Sequence, residues 1–198
     1  MLLNTLTQSN MTTLSNVKAY LGIPNSDTNA DALLNTLIGA ASQFIVSECQ
    51  RYFDAQQYQE LRDSVGAQPR IVTLGYPLVS VASVTLDGVN IPPASSGAWP
   101  YNGYLFGQWD IEVFGYAWTC NGRKNVKLVY TAGFATLPND LVEACTELAA
   151  LKYIQKGRIG QGGSKSIAGQ SISFKDVAAG AATAATLELY KRRTQIPQ

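Results

Sequence analysis

The apolar residues of this chain change their period twice, and that alternation constrains the fold more than any motif. Ala30, Leu33, Leu34, Leu37, Ile38, Ala41, Phe44, Ile45, Cys49 and Tyr52 recur at steps of three and four, the spacing of a helical face. The stripe is wider than one neighbour needs, so this helix is expected to sit centrally, with partners on two sides. From about Tyr58 to Tyr130 the step becomes two, the spacing of strands with one buried face. Helical spacing returns with Leu141, Ala144, Cys145, Leu148, Leu151 and Ile154. The expected fold is α+β, a helical body of about three main helices plus a C-terminal helix, with a small antiparallel β lobe inserted. A chain of 198 residues can hold one good core, or a core plus a small second lobe.

Local signals mark the boundaries. Thr13 suits an N-cap, with Asn16 at the third helical position and Leu14, Val17 and Leu21 on one face; Gly22 and Pro24 end that helix. Within the β region, Arg70-Ile-Val-Thr-Leu74, Val79-Ser-Val81 and Val84-Thr-Leu86 read as strands. The last two are out of phase, which predicts a bulge near Ala82 or Ser83. Asp87-Gly88 is a hairpin turn signal. Residues 91–103 read as a long loop, and strands resume at 109–113 and 126–130, joined by a turn at Asn121-Gly122. Pro138 is placed in the first turn of the closing helix, which Gly157 ends. The four glycines within 158–170 predict a flexible segment. Ser171-Ile-Ser-Phe174 reads as a short strand, and 176–193 as an alanine-rich helix anchored only by Leu187 and Tyr190. The resulting division is 1–56 and 134–157 for the helical body, 57–133 for the β lobe, and 158–198 for a basic C-terminal arm.

Charge sharpens that division. The net charge is only +1, yet residues 152–198 carry eight basic and two acidic side chains, against seven and twelve in the preceding 151. Opposite signs favour the arm of one copy meeting the body of another, or an acidic partner; a merely solvated basic tail fits the charge equally well. Charged residues are 15% of the chain, low for an isolated surface, which hints at faces covered by partners.

Catalytic chemistry finds little to work with. The absence of histidine removes imidazole as base, shuttle or metal ligand. Cys49, Cys120 and Cys145 are odd in number and widely spaced, which fits reduced thiols better than a disulfide framework. No signal peptide is evident, and no apolar run approaches membrane-spanning length. Gly160-Gln-Gly-Gly-Ser-Lys-Ser166 superficially resembles a phosphate loop, but it follows a helix and lacks the Gly-Lys-Ser/Thr order. Asp110 with Glu112, and Glu143 with Glu147, read as surface acid pairs. Trp99, Trp109 and Trp118, with Tyr101, Tyr104, Phe106 and Tyr116, could form a stacking platform; a small β core or an interface is the commoner use of such rings. No basic residue stands between Trp99 and Trp118, which argues against nucleic acid there. The expectation is therefore no enzyme, no catalytic, cofactor or metal residues, no cofactor and no membrane partner.

Taken in order, these segments resemble the head–tail connector (adaptor, or head-completion) proteins of tailed bacteriophages. Thr13-Leu-Ser-Asn-Val-Lys-Ala-Tyr-Leu-Gly-Ile23 is similar to the family's opening helix. Asp31-Ala-Leu-Leu34, Ile38-Gly-Ala-Ala41 and Arg51-Tyr-Phe53 resemble its long second helix. Tyr76-Pro-Leu-Val-Ser-Val-Ala-Ser-Val-Thr-Leu-Asp-Gly88 is similar to a Pro-Val-x-Ser-Val…Asp-Gly element of its longer members. Tyr130-Thr-Ala-Gly-Phe134 followed by Leu137-Pro-Asn-Asp-Leu141 resembles its strand-to-helix junction. The match spans about 12–156, with a looser echo in 171–174 and 190–193, and the aromatic loop at 91–118 departs from the compact pattern. The resemblance implies a self-assembled ring, commonly a dodecamer, docked on the portal protein at the virion's head–tail junction and assembled in the bacterial host cytoplasm. It implies that the ring extends the DNA channel without specific DNA binding and offers a platform for downstream neck or tail proteins. It also implies a portal-gripping C-terminal extension, for which Ile172, Phe174, Leu187 and Tyr190 are the candidate apolar anchors and Lys191, Arg192 and Arg193 the charge contacts. The alternatives are another neck or tail-completion subunit, and a carbohydrate- or ligand-binding β module on a helical stalk.

Overall fold

The computed structural model describes residues 2–64, 70–95, 102–117, 119, 121–156, 164–167, 170–173 and 181–191. At 164–167, 170–173 and Ala181 the description is of backbone alone. The chain folds into two compact units: residues 1–7 with 52–136, and residues 8–51 with 137–198. Among the described residues, four helices and antiparallel sheets make it an α+β protein.

The helical unit begins with α1 (Leu14–Leu21). The Thr13 side chain accepts the Asn16 N–H at 3.2 Å, and Gly22 ends the helix at φ 69°, its N–H reaching back to Ala19. The long helix α2 (Asp31–Cys49) buries Leu34, Ile38, Ala41, Ser42, Ile45, Val46 and Cys49. It stops one turn short of the apolar pattern: Gln50 turns left-handed at φ 53°, and Tyr52 packs in the β unit instead. By length and mean hydropathy (1.2) α2 could cross a membrane, contrary to the reading of apolar run lengths. It packs here as a core helix against α1, α3 (Asn139–Gln155) and α4 (Ala181–Tyr190). Pro138 caps α3 rather than entering it, its carbonyl accepting the N–H groups of Leu141 and Val142 at 3.1 and 3.2 Å. Gly157 lies outside the described residues.

Lys18 is buried at 2% exposure and clamps the connection between α1 and α2. Its ammonium reaches Asp31 at 2.5 Å and the carbonyl of Asp27 at 2.8 Å. The paired oxygen acceptors offset the cost of burying this side chain.

The β unit contains a four-stranded sheet in the order β1 (Gln56–Arg62), β7 (Val126–Ala132), β3 (Leu78–Leu86), β4 (Val89–Ile91). Its second sheet has the order β2 (Arg70–Val72), β6 (Asp110–Phe114), β5 (Gly103–Phe106). Tyr58, Val84, Leu86, Leu128, Tyr130, Tyr104, Ile111 and Val113, drawn from both sheets, share one core. The register of β3 on β7 slips between Val81 and Ser83, and again between Leu78 and Ser80. The first slip is the expected bulge at Ala82; the second, at Val79, gave no sequence signal. Asp87 and Gly88 take φ 50° and 83° between paired Leu86 and Val89, the two-residue turn favoured by strand twist. Two expectations are corrected. The strands at 110–114 and 126–132 do not pair with each other but lie in different sheets. The glycine-rich segment expected to be flexible contains β8 (Ser164–Ile167), which pairs with β9 (Gln170–Ser173).

One buried polar network holds the β unit together. Glu60 is fully buried on β1. Its carboxylate accepts from the Tyr130 hydroxyl, the Arg62 guanidinium and the Leu74 N–H, the last at 2.8 Å. The Tyr130 oxygen in turn accepts the Gly75 N–H at 2.9 Å, and the Tyr130 ring stacks on Tyr58 at 5.2 Å between centroids. Burial, with Glu60 beside it, raises the Tyr130 phenol far above its ordinary range. Gly75 is required at this point because a Cβ there would meet the Tyr58 ring at 2.5 Å.

Candidate functional site: the C-terminal helix and its seat

α4 is sparsely anchored. Of its described side chains only Thr183 and Leu187 are buried, four residues apart and so on one face, while Leu189 is 75% exposed. That face sits on α2 and α3. Acidic groups of those helices take up the polar ends. Thr183 donates its hydroxyl to Glu147, and Tyr190 donates to the Asp140 carboxylate at 2.9 and 3.0 Å from its two oxygens. Lys191 bridges Glu48 at 2.8 Å and Glu188 at 2.6 Å. Beneath the helix lies Cys49, whose thiol donates a weak hydrogen bond to the Leu187 carbonyl at 3.7 Å.

Electrostatics follow from this packing. Burial raises the Cys49 thiol to about 11, which keeps it protonated and unreactive at neutral pH. Tyr190 is raised to about 12, by desolvation and then by its hydrogen bond to the Asp140 carboxylate. Lys191 is raised by its hydrogen bonds to Glu188 and Glu48. The arrangement can hold a helix; it brings no nucleophile to a base. Among the described residues no group of three or more His, Cys, Asp or Glu side chains is placed to hold a metal.

The sequence-derived contact residues therefore divide. Leu187, Tyr190 and Lys191 meet at this seat. Ile172 lies on the β8–β9 hairpin, and Phe174, Arg192 and Arg193 fall outside the described residues. Sequence reading missed the seat itself: Glu143 with Glu147 reads as a surface pair, and nothing in the sequence shows that Asp140 and Glu147 face the same helix. The acid pair on β6 is engaged too, with Arg70 bonded to Asp110 and 3.8 Å from Glu112.

The aromatic cluster is only partly described. Tyr104 is buried in the β core, Tyr116 packs against it, and Trp109 lies beside Tyr76 at 4.8 Å. Trp99, Tyr101 and Trp118 lie outside the described residues. The phosphate-loop look-alike is also settled in part, since Lys165 and Ser166 sit on a strand and not at a helix N-terminus. In the helical unit, an open depression of about 580 Å³ is lined by Tyr20, Leu21, Ile23, Tyr153, Ile154 and Lys156.

The fold is similar to chains in solved structures of gene transfer agent particles. One is described as the neck of an empty gene transfer agent (GTA) particle computed with C6 symmetry, at TM-score 0.62 and 18% identity. A second comes from the virion of a native gene transfer agent particle, at 0.61 and 20%. A third is the neck of a native GTA particle computed with C12 symmetry, at 0.58 and 16%. In each case the similarity covers 100% of this chain and 98% of the other. No curated protein matches the sequence. A family model for head completion proteins matches residues 10–193, which takes in both compact units and α4, and the chain belongs to that family.

Proposed function

We propose that this chain is a non-enzymatic adaptor of a phage-type virion neck, assembled in the bacterial host cytoplasm. Copies associate as a ring, with twelve the expected number, that docks on the portal protein, extends the DNA channel and presents a platform to the next neck or tail protein. The observation that carries this reading is the end-to-end match to the head completion family. Fold similarity to chains from C6- and C12-symmetric neck reconstructions supports it. A cyclic ring of more than two copies needs two different faces per protomer, and the helical unit exposes Tyr20, Leu33, Phe44 and Ile154. The predominantly acidic first 151 residues suit a channel through which duplex DNA slides without specific binding.

Within the arm, Ile172, Phe174, Arg192 and Arg193 are assigned to the portal, and Leu187, Tyr190 and Lys191 to the helical seat. The test is co-expression with candidate portal proteins, followed by native mass spectrometry and imaging. A ring bound to a portal supports the proposal. A chain that stays solitary at high concentration and ignores every portal, or that binds duplex DNA tightly at physiological salt, refutes it.

A further inference from the structure

Two apolar faces of the helical unit stand open, and they differ in shape. We propose, on the ring reading above, that they mate between copies: the exposed stripe of α2 in one protomer packs into the depression beside α1 and α3 of the next. The stripe consists of Leu33, Leu37, Ala40 and Phe44, three and four residues apart and so on one side of the helix. The depression is walled by Tyr20, Ile23, Tyr153 and Ile154.

Three observations carry this. α2 has no charged residue between Asp31 and Glu48, yet only seven of its 19 residues are buried. A helix face left in water is ordinarily polar, whereas this one presents Leu33 and Phe44, 40% and 44% exposed. The depression is open in the same way, with Tyr20 58% and Ile154 51% exposed, and at about 580 Å³ it is of a size that admits an aromatic side chain. Finally, the two faces lie on different flanks. Phe44 stands beside Lys152, whose ammonium is 5.8 Å from the centre of its ring. Ile154 follows Lys152 by two positions on α3, and so projects about 200° round that helix. A stripe that met its own copy across a twofold axis would close as a dimer. A raised face that fits a hollow on another flank repeats head to tail and closes as a ring, which makes a second copy of this chain the occupant.

The experiment uses full-length Phe44→Glu and Ile154→Glu under the conditions that give the wild-type ring in native mass spectrometry. Both positions are exposed, and circular dichroism and the urea midpoint should match wild type; Leu33→Glu and Tyr20→Glu repeat the test on the same two faces. Each variant alone should lose ring at least about tenfold, because a carboxylate would have to be buried against apolar groups. Mixed one to one, the pair should give a heterodimer and nothing larger, since one copy keeps its stripe, the other keeps its depression, and the two remaining faces are both spoiled. Full-mass rings from either variant alone overturn the inference and leave the stripe to a portal or another protein. A dimer from Ile154→Glu alone overturns it in favour of stripe against stripe, and a mixture that stays monomeric overturns it as well. A wild-type chain that forms no ring, alone or with a portal protein, removes the ring reading itself and shows this before any variant is made.

Discussion

Tyr130→Phe removes one oxygen from the core of the β unit, and its consequences can be worked out from the network around Glu60. The ring stacked on Tyr58 is retained, so packing is nearly unchanged. Lost are the charge-assisted hydrogen bond to Glu60 and the acceptor for the Gly75 N–H. The first loss costs about 1.5–3 kcal/mol, and an orphaned buried N–H about 1–3 kcal/mol. Because Leu74 and Arg62 still satisfy Glu60, the combined penalty should lie near 3 kcal/mol, at the low end of the sum. All three tryptophans fall within residues 52–136, so indole emission during urea unfolding follows this unit alone. With a urea dependence of about 1–2 kcal/mol per M, the midpoint should fall by about 1.5–3 M. A double-mutant cycle with Glu60→Gln should show coupling above about 1 kcal/mol. A midpoint shift under about 0.3 M, or additive single effects, would refute the account of Glu60 as a shared buried acceptor.

Other outcomes can be checked with the same protein. Leu187→Ala removes most of the apolar hold on α4, about 2–3 kcal/mol of burial; amide exchange across 181–190 should accelerate at least tenfold and Cys49 should become reactive to a thiol reagent, while α1 to α3 stay protected. Tyr190 has its pKa raised from 10 to about 12 when α4 is docked, so its contribution is complete below pH 10 and is lost as pH climbs toward 12. Amide exchange in α4 followed from pH 8 to 12 (corrected for intrinsic rates) should therefore show docking weaken at alkaline pH, and Tyr190→Phe should reduce that dependence while Cys49 and Lys191, both also raised by docking, keep the remainder. Gly88→Val puts a β-branched residue at φ 83°, which should lower the urea midpoint of the β unit by about 1–2 kcal/mol equivalent with no effect on thiol accessibility of Cys49.

What the chain disclosed in advance depended on range. Caps, turns and faces are written in residues three or four apart, and so Thr13, Gly22, Asp87-Gly88 and the bulge at Ala82 could be read directly. The strand β1 escaped because Gln56-Gln-Tyr-Gln-Glu-Leu-Arg62 is polar in sequence, and its burial rests on Glu60 finding donors from residues 62, 74 and 130. β8 escaped because glycines around it mask the pairing of Lys165 with Ile172. The seat for α4 depends on Glu48, Asp140 and Glu147, residues from two helices some ninety positions apart; no local pattern could join them.

The first residues of the chain bear on how the protein can be handled. Leu2 bridges to Glu60, the Leu3 N–H reaches the Gln59 carbonyl at 2.8 Å, and Asn4 and Thr7 bond to Gln57 and Gln56. This short segment is a gasket over the outer rail of β1, occupying groups that would otherwise invite a foreign strand. Trimming it for convenience of expression would strip that seal and leave the rail of β1 open to edge-to-edge pairing between copies.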